Sequence, residues 1–131
     1  MGDSGETVLH IDKGEIIVIE LMLGKGTELI LGNKPEPGDP LGPAEVDISL
    51  AEFETDVGGN PAGEAVRHDE LGTFKIPLGQ ERKPLPITPL PTKPGTPSRL
   101  FIRFEGVRGR TDVTLRGPGV GPRVAPGEPV H

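Results

Sequence analysis

The sequence predicts an all-β protein: a small antiparallel β-sandwich or barrel, with a proline-rich extended arm and a Gly/Pro-rich C-terminal tail. Three observations carry this reading. About seven short segments alternate apolar and polar residues, and Gly- and Pro-rich turns separate them. No stretch of ten residues has the apolar spacing of a helix. The longest apolar run, residues 15–23 (Glu-Ile-Ile-Val-Ile-Glu-Leu-Met-Leu), is rich in β-branched residues and has Gly14 and Gly24 at its ends. A strand with one wet face alternates; this one does not, so it is expected to be covered on both faces.

In chain order, residues 7–12 place Leu9 and Ile11 on one face and read as a first strand. Lys13-Gly14 turns the chain into the apolar run, and Gly24-Lys25-Gly26 turns it out again, because glycine accepts positive φ cheaply. Residues 28–31 form a third strand. Residues 7–31 are therefore expected to be a three-stranded meander with the apolar run in the middle.

Residues 32–43 hold four prolines and read as a loop. Residues 45–50 alternate cleanly, with Val46, Ile48 and Leu50 inward; residues 51–57 either extend this strand or make a helical turn. Residues 58–67 read as a loop with room for a short helix over 62–66. Phe74, Ile76 and Leu78 share one face of an edge strand, since Pro77 cannot donate to a ladder.

Residues 81–98 contain Pro84, Pro86, Pro89, Pro91, Pro94 and Pro97, with Leu85, Ile87 and Leu90 between them. This segment is expected to be extended and polyproline-like. Leu100, Ile102 and Phe104 face inward from the next strand, residues 106–110 turn, and Val113 and Leu115 face inward from the last. The domain reading is one β-domain over 1–116 with the arm inserted at 81–98, then a tail over 117–131 with little apolar surface to fold by itself.

Composition limits the function classes. At 131 residues the chain has the length of one domain. It has no cysteine, so disulfides, thiolate metal sites and Cys nucleophiles are excluded. No basic n-region or apolar core of a signal peptide opens the chain, and the apolar run is too short for a bilayer. The expectation is a soluble protein, virion or cytoplasmic, with no membrane contact. Residues 1–72 carry 4 basic and 16 acidic side chains, residues 73–131 carry 10 and 4, and the net charge is −6. The halves can neutralise each other within one fold, or present opposite patches to neighbouring copies. Overall acidity argues against nucleic acid, and the absence of Trp and Tyr removes most stacking partners for bases. The arginines Arg99, Arg103, Arg108, Arg110, Arg116 and Arg123 are expected in salt bridges, within the chain or to a neighbour.

No catalytic set emerges. Gly2-Asp3-Ser4-Gly5 matches the residues around the nucleophile of trypsin-like proteases but has no upstream His and Asp. Gly24-Lys25-Gly26-Thr27 lacks the glycine that a phosphate loop needs before its lysine, since Glu20 stands there. His10 belongs to a polar strand face, His68 to a solvated loop, and His131 is terminal. His68, Asp69 and Glu70 are adjacent, so they are poorly disposed to hold one metal ion. Glu52, Glu54 and Asp56 read as a solvated strand face.

These features point to a non-enzymatic structural or assembly subunit without a cofactor or metal. The specific form expected is a virion protein, either a capsid decoration (cementing) or a head–tail component. It would be homo-oligomeric, with itself or other structural subunits as partners. The residues expected at subunit contacts are Leu85, Ile87, Leu90, Arg108, Arg110 and Arg116. The alternative is a β-sandwich binding or accessory domain of a larger extracellular or surface complex. An enzyme using carboxylates around Asp69 and Glu70 is a third possibility.

Overall fold

The computed structural model describes residues 5–39 and 41–124. The motif at 2–5 falls mostly outside these residues, as do His131 and the end of the tail. Nine strands make two antiparallel sheets, and no helix occurs among the described residues. The strands are β1 (Gly5–Asp12), β2 (Ile16–Leu21), β3 (Thr27–Gly32), β4 (Ala44–Glu54), β5 (Arg67–Ile76), β6 (Leu85–Ile87), β7 (Ser98–Arg108), β8 (Arg110–Gly117) and β9 (Val120–Arg123). One sheet has the order β1-β8-β3-β6, the other β5-β4-β7-β2-β9. The fold is an all-β sandwich and not a closed barrel.

The core is the inward parity of each strand. Leu9 and Ile11, Ile17, Ile19 and Leu21, Leu29 and Leu31, and Val46, Ile48 and Leu50 are buried. Ile76, Ile87, Leu100, Ile102, Phe104, Val113 and Leu115 complete it. Each such side chain contributes about 1.5–3 kcal/mol. The alternation read from sequence therefore assigns the inner face correctly, with Leu78 the exception: it lies beyond β5 and is exposed.

The meander does not form. β1 pairs with β8, β2 with β7 and β9, and β3 with β8 and β6. At Gly14 and Gly24, both at positive φ, the chain crosses to the opposite sheet instead of folding back in its own. A short glycine turn serves a hairpin and a crossing equally, so the turn residues could not choose. The apolar run does have a partner on each edge, but the partners come from the C-terminal half.

Its second face is covered by the chain itself. Val18 and Val124 pack with Ala65 against buried Ala51, Phe53 and Phe101 on the outer side of the five-stranded sheet. The cover is partial: Ile16 is half exposed, and so is Met22, just beyond β2.

Of the two readings offered for 51–57, strand extension holds as far as Glu54, where β4 ends. Other expectations are corrected: β5 begins at Arg67, so Arg67 and His68 are strand and not loop residues. No helix forms over 62–66; the segment folds against β4 through the Ala62 and Val66 amides, which donate to Glu54 and Glu52 carbonyls. β7 continues through Gly106 to Arg108, leaving Gly109 as the turn. Beyond Gly117, where a tail was expected, Val120–Arg123 adds β9 to the edge of the five-stranded sheet.

Candidate functional site

The opposite-charge halves meet inside one chain. Antiparallel pairing brings N-terminal strands against β7 and β8, so acidic and basic residues become cross-strand neighbours. Glu28 lies directly opposite Arg116, and their side chains approach to 3.1 Å. Arg99 is bidentate to Glu20 at 2.9 and 2.8 Å and lies over the Phe101 ring. Arg110 pairs with Asp39 and Lys93 with Glu54 at 2.9 Å, whereas Arg103 pairs within its own strand, with Glu105 at 3.1 Å.

Glu52 departs most from the sequence expectation. It was expected on a solvated face and is fully buried. Its parity is that of Val46, Ile48 and Leu50, so β4 points it inward at the end of the sandwich. There the carboxylate accepts from Ser98 Oγ at 2.7 Å, Thr92 Oγ1 at 2.8 Å and the Thr92 amide at 3.2 Å. Arg67 Nη2 lies 3.1 Å from Oε1. Three hydrogen-bond donors and the Arg67 charge close around the carboxylate. The group fastens the Pro-rich segment and the starts of β5 and β7 to the end of β4.

Burial pushes the Glu52 carboxyl up, but the hydrogen bonds from Ser98 and Thr92 and the charge of Arg67 outweigh it and hold the group below the usual range. A depressed carboxyl adds stability that is present at neutral pH and lost as pH falls through its folded value. The thermal midpoint is therefore expected to drop as the pH is lowered below the ordinary glutamate value of about 4.3. Glu52→Gln, which does not titrate, should show a shallower fall in the same calorimetric pH series.

Asp56 is a local cap: Oδ1 accepts from the Gly58 and Asn60 amides at 2.9 and 3.0 Å. Strand alternation separates Asp69 from His68 and Glu70. Asp69 lies 3.6 Å from Arg67, whereas a hydrogen bond with Asp47 raises the Glu70 carboxyl. Among the described residues no three His, Asp or Glu side chains are grouped to hold a metal. His10 lies on the polar face as expected, with Nδ1 2.6 Å from Asp112 Oδ1. Asp112 Oδ2 also accepts from the Lys34 amide at 2.8 Å.

The six residues expected at contacts are not gathered into one patch. Ile87 is in the core. Arg110 is mostly buried beside Asp39, and half-exposed Arg116 is paired with Glu28. Arg108 is exposed and lines a depression of about 200 Å³ with Leu41, Gly42, Pro43 and Gly109. Leu85 is partly exposed beside another of about 200 Å³, with Phe74 and Arg82. Leu90 is 66% exposed. The Pro-rich segment holds to its own sandwich at several places. β6 pairs with β3, the Gly24 amide donates to the Pro89 carbonyl at 2.7 Å, and Thr92 binds Glu52.

The chain is similar to a Yersinia pseudotuberculosis-derived mitogen. The crystal structure of that protein matches at 14% identity with a TM-score of 0.44, over 98% of this chain and 93% of that one. No protein-family model and no curated protein matches the chain. No helix among the described residues is long and apolar enough to cross a membrane.

Two residues that sequence reasoning passed over prove structural. Asn33, read only as part of a loop, is buried; its side-chain amide donates to the Gly42 and Ile76 carbonyls at 2.7 and 3.1 Å. Nothing local in the sequence marks it, because both acceptors are distant in the chain. Glu52 did carry a signal: the alternation through 46, 48 and 50 extends to it.

Proposed function

We propose that the protein is a non-enzymatic structural subunit that works by protein–protein contact within a larger assembly. Its specific form would be a virion component that decorates a capsid or joins head and tail. The observation that supports contact as the mode of action is the Pro-rich segment. It is already fastened by Gly24, Glu52 and β3, yet leaves Leu90 exposed and Leu85 partly so. An ordered segment that displays apolar side chains has little entropy left to lose when it docks. The virion setting is an inference from the type of molecule: a small β-core with an extended, apolar-studded segment.

The alternative, a binding module of a surface complex, is favoured by the depression beside Leu85. There the Arg82 guanidinium lies 5.3 Å from the Phe74 ring centre, a pairing of cation and apolar wall suited to an extended acidic peptide.

Light scattering after size exclusion, with electron microscopy of the purified protein, tests the first reading. Wild type is expected to associate and to build ordered particles on concentration. Leu90→Asp should weaken association at least about tenfold, the loss expected for one buried leucine, without lowering the thermal midpoint. A chain that stays monomeric and forms no particle at any concentration would contradict the assembly reading. Saturable binding of an acidic peptide, lost in Arg82→Glu, would favour the binding module.

A further inference from the structure

Among the described residues the sandwich ends in four edge strands, and three are blunted against further pairing. β6 is three residues long and contains Pro86; β9 is four residues long and contains Pro122. β5 carries Arg67, His68, Asp69, Glu70 and Lys75, and its pairing with β4 shifts register after Ile48. Short strands, proline, charge and bulges are the usual protections of an edge. β1 has none of the last three but its terminal acids. Its eight residues contain no proline, Lys or Arg and pair with β8 without a register shift from Gly5 to Asp12.

The outer edge of β1 is unpaired among the described residues, except at its end. The Asp12 amide donates to Glu15 Oε1 at 3.1 Å, and the Asp12 carbonyl accepts from the Glu15 amide at 3.0 Å. Both groups of Asp12 thus turn away from β8. By strand alternation the backbone groups of Glu6, Val8 and His10 also point to the open edge.

We infer that a second copy of this chain pairs here, β1 against β1, antiparallel about a two-fold axis through Val8. This rests on the reading that the protein works by protein–protein contact, and it names the partner. Parity restricts the register, since outward-pointing residues must meet outward-pointing residues. A two-fold at Val8 sets Val8 opposite Val8 of the second copy and Glu6 opposite its His10, forming about six inter-strand hydrogen bonds.

The side chains on the solvent face fit this seam. Val8 is 59% exposed, and the row it belongs to, Val8–Thr114–Ile30, is the least charged on that face. The next row runs Glu6–Arg116–Glu28. Across the axis it continues into His10 and Asp112 of the second copy, so acidic and basic side chains alternate through the junction. Opposite-charge and apolar cross-strand pairs are both favourable. The two four-stranded sheets would become one sheet of eight.

Sedimentation equilibrium of the full chain tests this. Wild type is expected to be a concentration-dependent dimer. Val8→Lys and Glu6→Lys should each raise the dimer dissociation constant at least tenfold and leave the thermal midpoint unchanged. Val8→Cys, the sole cysteine, should give a disulfide-linked dimer under mild oxidation. A monomer at millimolar concentration, or a dimer unaffected by Val8→Lys, overturns the inference. A dimer lost in Leu90→Asp but kept in Val8→Lys refutes the β1 seam and leaves the assembly reading intact. The reverse result supports the seam and moves the contact away from the Pro-rich segment.

Discussion

Glu52→Ala is expected to cost about 3–4 kcal/mol and to lower the thermal midpoint by about 10–15 °C. The change removes an acceptor that three donors of Thr92 and Ser98 share, and it leaves the Arg67 guanidinium, only 23% exposed, with the more distant and half-exposed Asp69 as its remaining carboxylate. Taking one partner from a buried ion pair is much worse than replacing both, because the orphaned charge retains its desolvation cost. Calorimetry measures the loss. Hydrogen exchange adds a local readout: the Thr92 amide, protected by Glu52 in the wild type, should exchange as an open loop does. If the midpoint moves by less than about 3 °C, the carboxylate is not the fastening that the geometry describes. Exposed Glu70 works in the opposite direction. Its raised carboxyl adds stability that is present at low pH and lost as pH rises, so it cannot produce the acid sensitivity attributed to Glu52.

Gly106→Ala should be comparably damaging, at about 3 kcal/mol, or a midpoint about 10 °C lower. Gly106 lies in β7 where pairing with β4 shifts register between Glu45 and Val46. Its amide donates to the Glu15 carbonyl at 2.9 Å, and its carbonyl accepts from the Gly14 amide at 2.8 Å. The crossing from β1 to β2 therefore presses on this residue. A Cβ added here would stand 2.0 Å from the Asp12 carbonyl oxygen and 2.8 Å from its carbon. Both are backbone atoms, so no side-chain rotation relieves the clash. The reason for glycine is space, not φ, which is not positive here. Gly32→Ala is the control: its nearest contacts would be 3.8 Å, and its effect should stay under about 1 kcal/mol. Equal effects of the two substitutions would refute the close approach.

The sequence by itself determined which face of most strands is buried. Side chains alternate with period two, so Leu9 and Ile11, Val46, Ile48 and Leu50, or Leu100, Ile102 and Phe104 identify an inner face wherever the strand is placed. It determined the class for the same reason, since a dense set of Gly and Pro turns leaves no span for a helix. The inward position of Glu52 was legible in principle, as the fourth member of an alternating set. Its charge suggested solvent, and the donors that keep it buried, Arg67, Thr92 and Ser98, are 15 to 46 positions away in the chain. The candidate contacts were less legible, because an exposed arginine and one consumed by Asp39 or Glu28 look alike in sequence.

Only the tertiary structure decided who pairs with whom. Backbone N–H and C=O groups are the same at every residue, so a strand's hydrogen bonds carry no address, and a glycine turn permits either a hairpin or a crossing. The choice fell to the packing of two long C-terminal strands, β7 and β8, between the N-terminal ones. That choice set the acidic half against the basic half, covered Val18 with Phe101 and Val124, and left β1 with one edge unpaired among the described residues.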